Sequence, residues 1–489
     1  MQLDRDLESI QAVRNLIKQA KAAAEQLAGF SQTQLNSICA EIALDGAAQA
    51  ERLAKLAADE TGFGIWQDKV RKNLLGSRDV WARWKDETMV GPLTEYSGAP
   101  GGYWEIGVPM GIIAALIPST NPTSTTLYKA IIALKAGNAV IFSPHPNAKG
   151  CIWETVRLIQ AAAARAGAPE HAIQCVELCT MEATNALMSD PAIGLILATG
   201  GEAMVRAAYR SGNPAIGVGP GNGPAFIERS ADIPTAVRHI IASKTFDNGV
   251  ICASEQSIIT EECVAAEVEA ELKRQGGYFL PEEESERLGN LLLRPNGTMN
   301  PRIVGKPAHA IAEMAGIAVP EGTKLLLSRQ TAAGPRNPYA REKLCPVLAY
   351  FVEPDWERAC ARCMEILHLE GAGHTMAIHS RDDAVIREFA LQKPVSRLLV
   401  NTPAALGGVG ATTALDPALT LGCGSVGGSA TSDNVGPRHL VNIRRVAWYN
   451  QEAGKGRQET GNLTAIDDIL TPEQVAEIAR RVLERLAKA

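Results

Sequence analysis

Cys252 is a candidate nucleophile because of the loop around it. It sits in Phe246-Asp247-Asn248-Gly249-Val250-Ile251-Cys252-Ala253-Ser254-Glu255-Gln256. Glycine and short polar residues favour a loop, and a loop can hold sulfur beside backbone amides that lower its pKa. An unperturbed thiol, with a pKa of about 8.5, is mostly protonated at neutral pH. The second candidate is Asn121, in Ile117-Pro118-Ser119-Thr120-Asn121-Pro122 after an apolar run. An amide at a strand's carboxyl end can donate to an oxygen that gains charge near the sulfur. Together the two imply covalent attack on a carbonyl carbon. By residue type alone, a cysteine is more often inert core filling and Asn-Pro more often a turn.

These side chains need a scaffold, and Gly111 to Val218 supplies the clearest pattern. Strand-like runs are Ile112–Ile117, Ala139–Phe142, Ile173–Val176, Leu195–Ala198 and Ala215–Val218. Helical segments alternate with them at Thr125–Lys135, Lys149–Ala166, Glu182–Met188 and Glu202–Arg210. Gly137, Gly167 and Gly212 stand where a left-handed C-terminal glycine belongs. Apolar strands separated by helices predict an α/β fold with a parallel sheet covered on both faces. Ligands of such sheets bind at the strands' carboxyl ends.

Around this block, residues 2–58 read as helical and Leu93–Trp104 as a hairpin turning at Ser97–Gly102. A second α/β pattern follows Ala231, with strands at 257–259, 324–327, 347–351, 375–379 and 397–401. Gly407–Gly428 is glycine-rich, and an apolar strand pattern returns at Leu440–Trp448. Gly454–Gly461 is a polar linker. Thr471-Pro472-Glu473-Gln474 then combines an N-cap, a first-position proline and a capping box.

The Thr199-Gly200-Gly201 turn opens a helix, the kind of junction that brings N–H groups to a phosphate. Gly217–Gly223 is a poor phosphate loop, with a proline inside and no helix following, and reads as a crossover. Cys360-Ala361-Arg362-Cys363 lies within a helix without a second pair, so metal binding is not expected.

Composition narrows the function classes. The chain has 489 residues, is 46% hydrophobic and 21% charged, and carries a net charge of -6. That gives no basic stripe for nucleic acid and no polybasic membrane anchor. The run Ile106–Ile117 is broken by Pro109 and falls short of the about 18 residues a spanning helix needs. The N-terminus lacks a signal-peptide profile, and ten cysteines at irregular spacing suit cytoplasmic thiols.

The Cys252 and Asn121 segments together resemble the nucleophile loop and oxyanion asparagine of the aldehyde dehydrogenase superfamily, nearest its CoA-acylating branch. The resemblance covers about Leu74 to Ala447. It is similar to the aldehyde half of bifunctional aldehyde-alcohol dehydrogenases and to stand-alone acetaldehyde, sulfoacetaldehyde and succinate-semialdehyde enzymes. No alcohol dehydrogenase half is expected here. The resemblance implies a Rossmann-like doubly wound cofactor domain at 1–228, an α/β catalytic domain at 229–435 and a return arm at 436–453. It implies an oligomerisation hairpin at 94–107, and hence a homodimer or homotetramer. A linker at 454–470 and a terminal helix at 471–489 complete the division, the helix docking to a partner or packing on its own subunit.

The resemblance also assigns residues. Cys252 would be the nucleophile, Asn121 and the Cys252 N–H would hold the oxyanion, and His374 would serve the CoA thiol. Pro118, Ser119, Ser143, His145, Thr199, Gly200, Gly201, Gly219 and Glu342 would bind NAD or NADP, Glu342 at the nicotinamide ribose. Hydrolytic relatives carry a glutamate as water-activating base where this chain has Val218, with no carboxylate from Ala215 to Phe226. They carry lysine and glutamate at the adenosine ribose where this chain has Ser143 and Pro146, which leaves NAD against NADP open. Expected partners are therefore a small aldehyde and coenzyme A, with no nucleic acid and no membrane. The alternatives are a hydrolytic enzyme with another base, or a scaffold without chemistry. A sulfonated or carboxylated aldehyde would need a cation, for which Arg206, Arg210, Lys244 and Arg341 are available.

Overall fold

The computed structural model of the protein describes residues 4–94 and 102–448, with Ala476 and Arg480 beyond. Residues 97–101 of the predicted Ser97–Gly102 turn, the linker and most of the terminal helix lie outside the described residues. Two units divide the chain: Met1–Gly91 with Val108–Asn442, and Pro92–Gly107 with Ile443–Ala489. Strands β1 (Gly91–Thr94) and β2 (Tyr103–Pro109) flank the undescribed turn.

The first large sheet contains β3 (Ile112–Ile117), β4 (Ala139–Pro144), β5 (Ile173–Cys175), β6 (Ile193–Thr199) and β7 (Ala215–Val218). Its order is β5-β4-β3-β6-β7, and every pairing is parallel. This is the doubly wound arrangement predicted, with the order reversing between β3 and β6. All six residues of β3 and all six of β4 are buried, because helices cover both faces. Helix Pro122–Lys135 is buried at every position and starts earlier than predicted, since Pro122 suits the first helical position.

The second sheet contains β8 (Gly223–Ile227), β9 (Glu255–Glu261), β10 (Gly277–Phe279), β11 (Leu325–Arg329), β12 (Val347–Glu353), β13 (Gly373–His379) and β14 (Val395–Val400). Its order is β10-β11-β12-β9-β8-β13-β14, again parallel throughout. Strand β8 pairs with β9 and β13, so the first sheet ends at Val218. The boundary expected after residue 228 therefore moves to the 219–222 crossover. Three-residue β10 escaped the sequence reading, because Gly277-Tyr278-Phe279 is too short to show alternation. Strand β15 (Val441–Ala447) joins β1 and β2 in order β1-β2-β15. Within that unit Trp104 meets Trp448 edge to face at 4.9 Å, and Arg445 pairs with Glu105 at 3.0 Å.

Gly137, Gly167 and Gly212 adopt φ of 75°, 84° and 94°, as their places after helices required. They differ in surroundings. A Cβ on Gly137 would lie 2.7 Å from Pro109 Cγ, whereas one on Gly167 would meet nothing within 4 Å. Both alanine variants strain the backbone by about 1–2 kcal/mol. Urea denaturation should show the Gly137→Ala loss to be larger by the added overpacking, about 1–3 kcal/mol; equal losses would refute the close approach.

Candidate active site

A cleft of about 430 Å³ opens at the carboxyl ends of β3, β4 and β6. Pro118 and Ser119 line it from the β3 end, Ser143 and His145 from β4, and Thr199, Gly200 and Gly201 from β6. Seven of the sequence-predicted cofactor residues thus meet at the point where strand order reverses, the expected ligand position. A Cβ on Gly201 would meet nothing within 4 Å, so there is open space beside the turn that starts helix Glu202–Arg210. That turn fits a pyrophosphate. The Ser143 and Thr184 hydroxyls bond at 3.0 Å, and His145 Nδ1 accepts from the Asn147 N–H at 3.1 Å. Burial lowers the His145 pKa. Among the described residues no Asp, Glu, Lys or Arg lines this cleft.

A smaller cavity of about 120 Å³ shares Pro118, Thr199, Gly200 and Gly201 with the cleft. Asn121, Gly219, Cys252 and Glu342 line it, together with Val218. Residues 121, 219, 252 and 342, far apart in sequence, converge because the β3 loop, the 219–222 crossover, the loop before β9 and the loop before β12 meet there. The crossover presses on the nucleophile loop: a Cβ on Gly221 would stand 2.0 Å from the Cys252 carbonyl oxygen. The Gly221 N–H donates to Glu342 Oε1 at 2.8 Å.

Burial dominates the electrostatics of this cavity. It pushes the Cys252 thiol up to about 12, with Glu342 adding to the rise and Arg397 opposing it. It pushes the Glu342 carboxyl up to about 8, against the Gly221 N–H bond. At neutral pH both groups are mostly protonated, so the thiol must lose its proton as it reacts. Glu342 is the one carboxylate lining the cavity.

His374 does not join that lining. It is fully buried behind the loop, its Nδ1 2.9 Å from Thr375 Oγ1 and its Nε2 without a partner among the described residues. Burial, then the nearby Arg397, lowers its pKa to about 3.

The sequence reading missed an ionic cluster beneath the two loops. Asp247 is fully buried and accepts from Lys69 Nζ at 2.9 Å, from the Ile65 N–H at 2.6 Å and from Lys72 Nζ. Lys72 Nζ also donates to Asn121 Oδ1 at 2.7 Å and to the Val250 carbonyl at 2.8 Å. The available signal was Asp68-Lys69 with Lys72 three residues on, on a short helix, Trp66–Leu74.

A third cavity, about 470 Å³, shares Ile251 and Leu419 with the Cys252 cavity. Leu74, Leu75, Phe246, Leu406 and Val409 line it together with Arg71, Lys72, Arg78, Asp79 and Arg83, and Arg78 pairs with Asp79 at 2.8 Å. The cations named from the sequence are occupied elsewhere: Arg206 on Glu202, Lys244 on the Lys343 carbonyl and Arg341 on Glu370. Arg210 lines none of these three cavities.

The aldehyde dehydrogenase family model matches residues 7–358. The chain belongs to the aldehyde dehydrogenase family. This aldehyde dehydrogenase is 44% identical to the bifunctional aldehyde-alcohol dehydrogenase of Escherichia coli K12, over 88% of its own length and 49% of that protein. It therefore spans about half the length of the bifunctional relatives it matches. It is 38% identical to the succinate-semialdehyde dehydrogenase (acetylating) of Clostridium kluyveri, covering 90% of this chain and 97% of that one. An acetylating aldehyde dehydrogenase structure from Geobacillus thermoglucosidasius superposes with a TM-score of 0.89 at 47% identity, over 91% of this chain and 98% of that one.

His374 generates a pH prediction. Its folded pKa lies below the unfolded value of about 6.5, so folding loses stability as pH falls through 6.5 toward 3. Each unit of acidification in that window costs about 1.4 kcal/mol. Melting curves at pH 7 and pH 5 should show a smaller acid-induced drop for His374→Gln than for the unaltered enzyme. An equal drop would place the titration elsewhere, as at His379, which burial also lowers to about 3.

Proposed function

We propose that this aldehyde dehydrogenase is CoA-acylating: it oxidises a small aldehyde through a thioester on Cys252 and transfers the acyl group to coenzyme A. One observation carries the reading. The cavity that holds Cys252 is lined by Val218, Gly219 and Pro220 where hydrolytic relatives place a water-activating base. Water must be deprotonated as it adds to a thioester, whereas a thiol acceptor needs less help. The acetylating names of the Clostridium and Geobacillus proteins accord with this.

Cys252 Sγ adds to the aldehyde carbon and loses its proton. Asn121 Nδ2 and the Cys252 N–H donate to the oxygen that gains charge, which lowers the barrier. A bound nicotinamide dinucleotide supplies the hydride acceptor. Its pyrophosphate would rest on the Thr199–Gly201 turn, its adenosine ribose beside Ser143 and His145, and its nicotinamide ribose on Glu342. Cys252 then leaves when the CoA thiol takes the acyl group, and since both ends are thioesters the reaction runs either way. The adenosine cleft carries no acid to repel a 2′-phosphate, so NAD and NADP both fit.

Sulfoacetaldehyde or acetaldehyde suits the pocket, with the leucines of the third cavity for the tail and Arg71 on its lining for an anionic end. We assign the enzyme to the cytoplasm; among the described residues no helix is long and apolar enough to cross a membrane. The exposed Tyr103, Ile443, Val446 and Trp448 favour self-association through the three-stranded sheet, as a homodimer or homotetramer.

A hydrolytic reading has one observation on its side, the raised Glu342 carboxyl. Intact-mass measurement after mixing enzyme, aldehyde and NAD without CoA should show one acyl adduct, mapped to Cys252 and discharged as acyl-CoA when CoA is added. Cys252→Ala should form no adduct and still bind NAD. An adduct that clears rapidly without CoA, or loss of NAD binding in the variant, would refute the assignment.

A further inference from the structure

We propose that Lys72 is a positioning residue that fixes which end of the Asn121 amide faces the reacting oxygen; this rests on the reading of Asn121 as the oxyanion donor. A carboxamide has a donor end and an acceptor end of nearly equal size. Only the donor end stabilises an oxyanion, and the acceptor end in its place would repel it. Something on the protein side must therefore distinguish the two ends.

Lys72 does so by chemistry. An ammonium carries three donors and no acceptor, so it can face only the oxygen of the amide. Its three bonds go to Asn121 Oδ1 at 2.7 Å, the Val250 carbonyl at 2.8 Å and the Asp247 carboxylate. With Oδ1 held, Nδ2 keeps one long contact, 3.4 Å to Thr120 Oγ1, and stays available on the residue that lines the cavity with Cys252. The charge on Nζ also polarises the amide, which strengthens its N–H as a donor.

Service as a counterion for Asp247 does not account for this lysine. Lys69 already pairs with the same carboxylate oxygen at 2.9 Å. A second ammonium beside it adds like-charge repulsion, and burial lowers the Lys72 pKa to about 8. What Lys72 adds is reach. Its side chain, 3% exposed, joins the Asn121 loop to the carbonyl two residues before Cys252, so one atom sets the amide's orientation and ties donor to nucleophile loop.

The test is a double-mutant cycle of Lys72→Met and Asn121→Ala, read as the rate of nicotinamide reduction in the first turnover without CoA. Alkylation of Cys252 by iodoacetamide is measured in parallel. Lys72→Met should slow the first turnover about 10- to 100-fold, the scale of a lost or misdirected oxyanion donor. Asn121→Ala should slow it at least as much, and the double variant should be no slower than Asn121→Ala, with alkylation unchanged throughout. Wild-type speed in Lys72→Met, a full additional loss on the Asn121→Ala background, or a parallel fall in alkylation would each overturn the proposal. If Lys72→Met does not fold, Lys72→Gln, whose carboxamide can turn its oxygen as readily as its nitrogen toward Asn121, leaves the Lys69–Asp247 pair in place and must show the same slowed first turnover. The readout precedes acyl transfer. An enzyme that releases free acid instead of acyl-CoA would defeat the acylating assignment and leave this test standing.

Discussion

A buried carboxylate with two lysines holds the reactive loop in place. Asp247 lies in the left-handed region at φ 51°, followed by Asn248 at 52° and Gly249 at 79°. Consecutive non-glycine residues in that region cost about 1–3 kcal/mol each and persist only where the surroundings over-determine them. Here the surroundings are specific. Lys69, Lys72 and the Ile65 N–H bond the Asp247 side chain, and the Asp68 carboxylate accepts the Asp247 N–H at 2.8 Å. Asn248 is held in turn, donating to the Gly305 carbonyl at 2.9 Å. Gly64 completes the fit, since a Cβ there would fall 1.8 Å from Asp247 Oδ1. Removing Asp247 would leave two ammonium groups buried without a counterion, the costly way to break such a cluster.

From that anchor the chemistry follows by geometry. The helix bearing the lysines reaches both the loop after β3 and the loop before β9. The crossover from β7 to β8 closes the third side at Gly221. The cleft at the β3, β4 and β6 ends, the Cys252 cavity and the third cavity are thus neighbours, and each shares lining with the next. The enclosure that brings them together is also what raises the thiol and the Glu342 carboxyl. The site's low polarity strengthens every hydrogen bond aimed at developing charge and penalises an unpaired one.

Much of this was legible in the sequence. The apolar runs from Ile112 to Val218 announced a parallel sheet because strands covered on both faces leave no polar alternation. The helix-ending glycines and the Thr199–Gly201 turn followed from local backbone chemistry. What stayed hidden depends on three-dimensional closure. Lys69, Lys72 and Asp247 are ordinary charges when read singly, and only folding buries them on one another. His374, assigned through the resemblance, lies buried in β13 and outside the cavity lining, a placement its sequence position did not show. The cations named for an anionic aldehyde, Arg206, Arg210, Lys244 and Arg341, line none of the three cavities, whereas Arg71 lines the third. The boundary at residue 228 failed because strand partners are set by tertiary pairing.

The most direct test of the central claim is to follow nicotinamide reduction with aldehyde and NAD, with and without CoA, while identifying the product. Transfer to CoA predicts one turnover per active site without CoA, then sustained turnover and stoichiometric acyl-CoA when it is present. Sustained turnover to free acid without CoA would contradict the account and turn attention to Glu342 as a water-activating base.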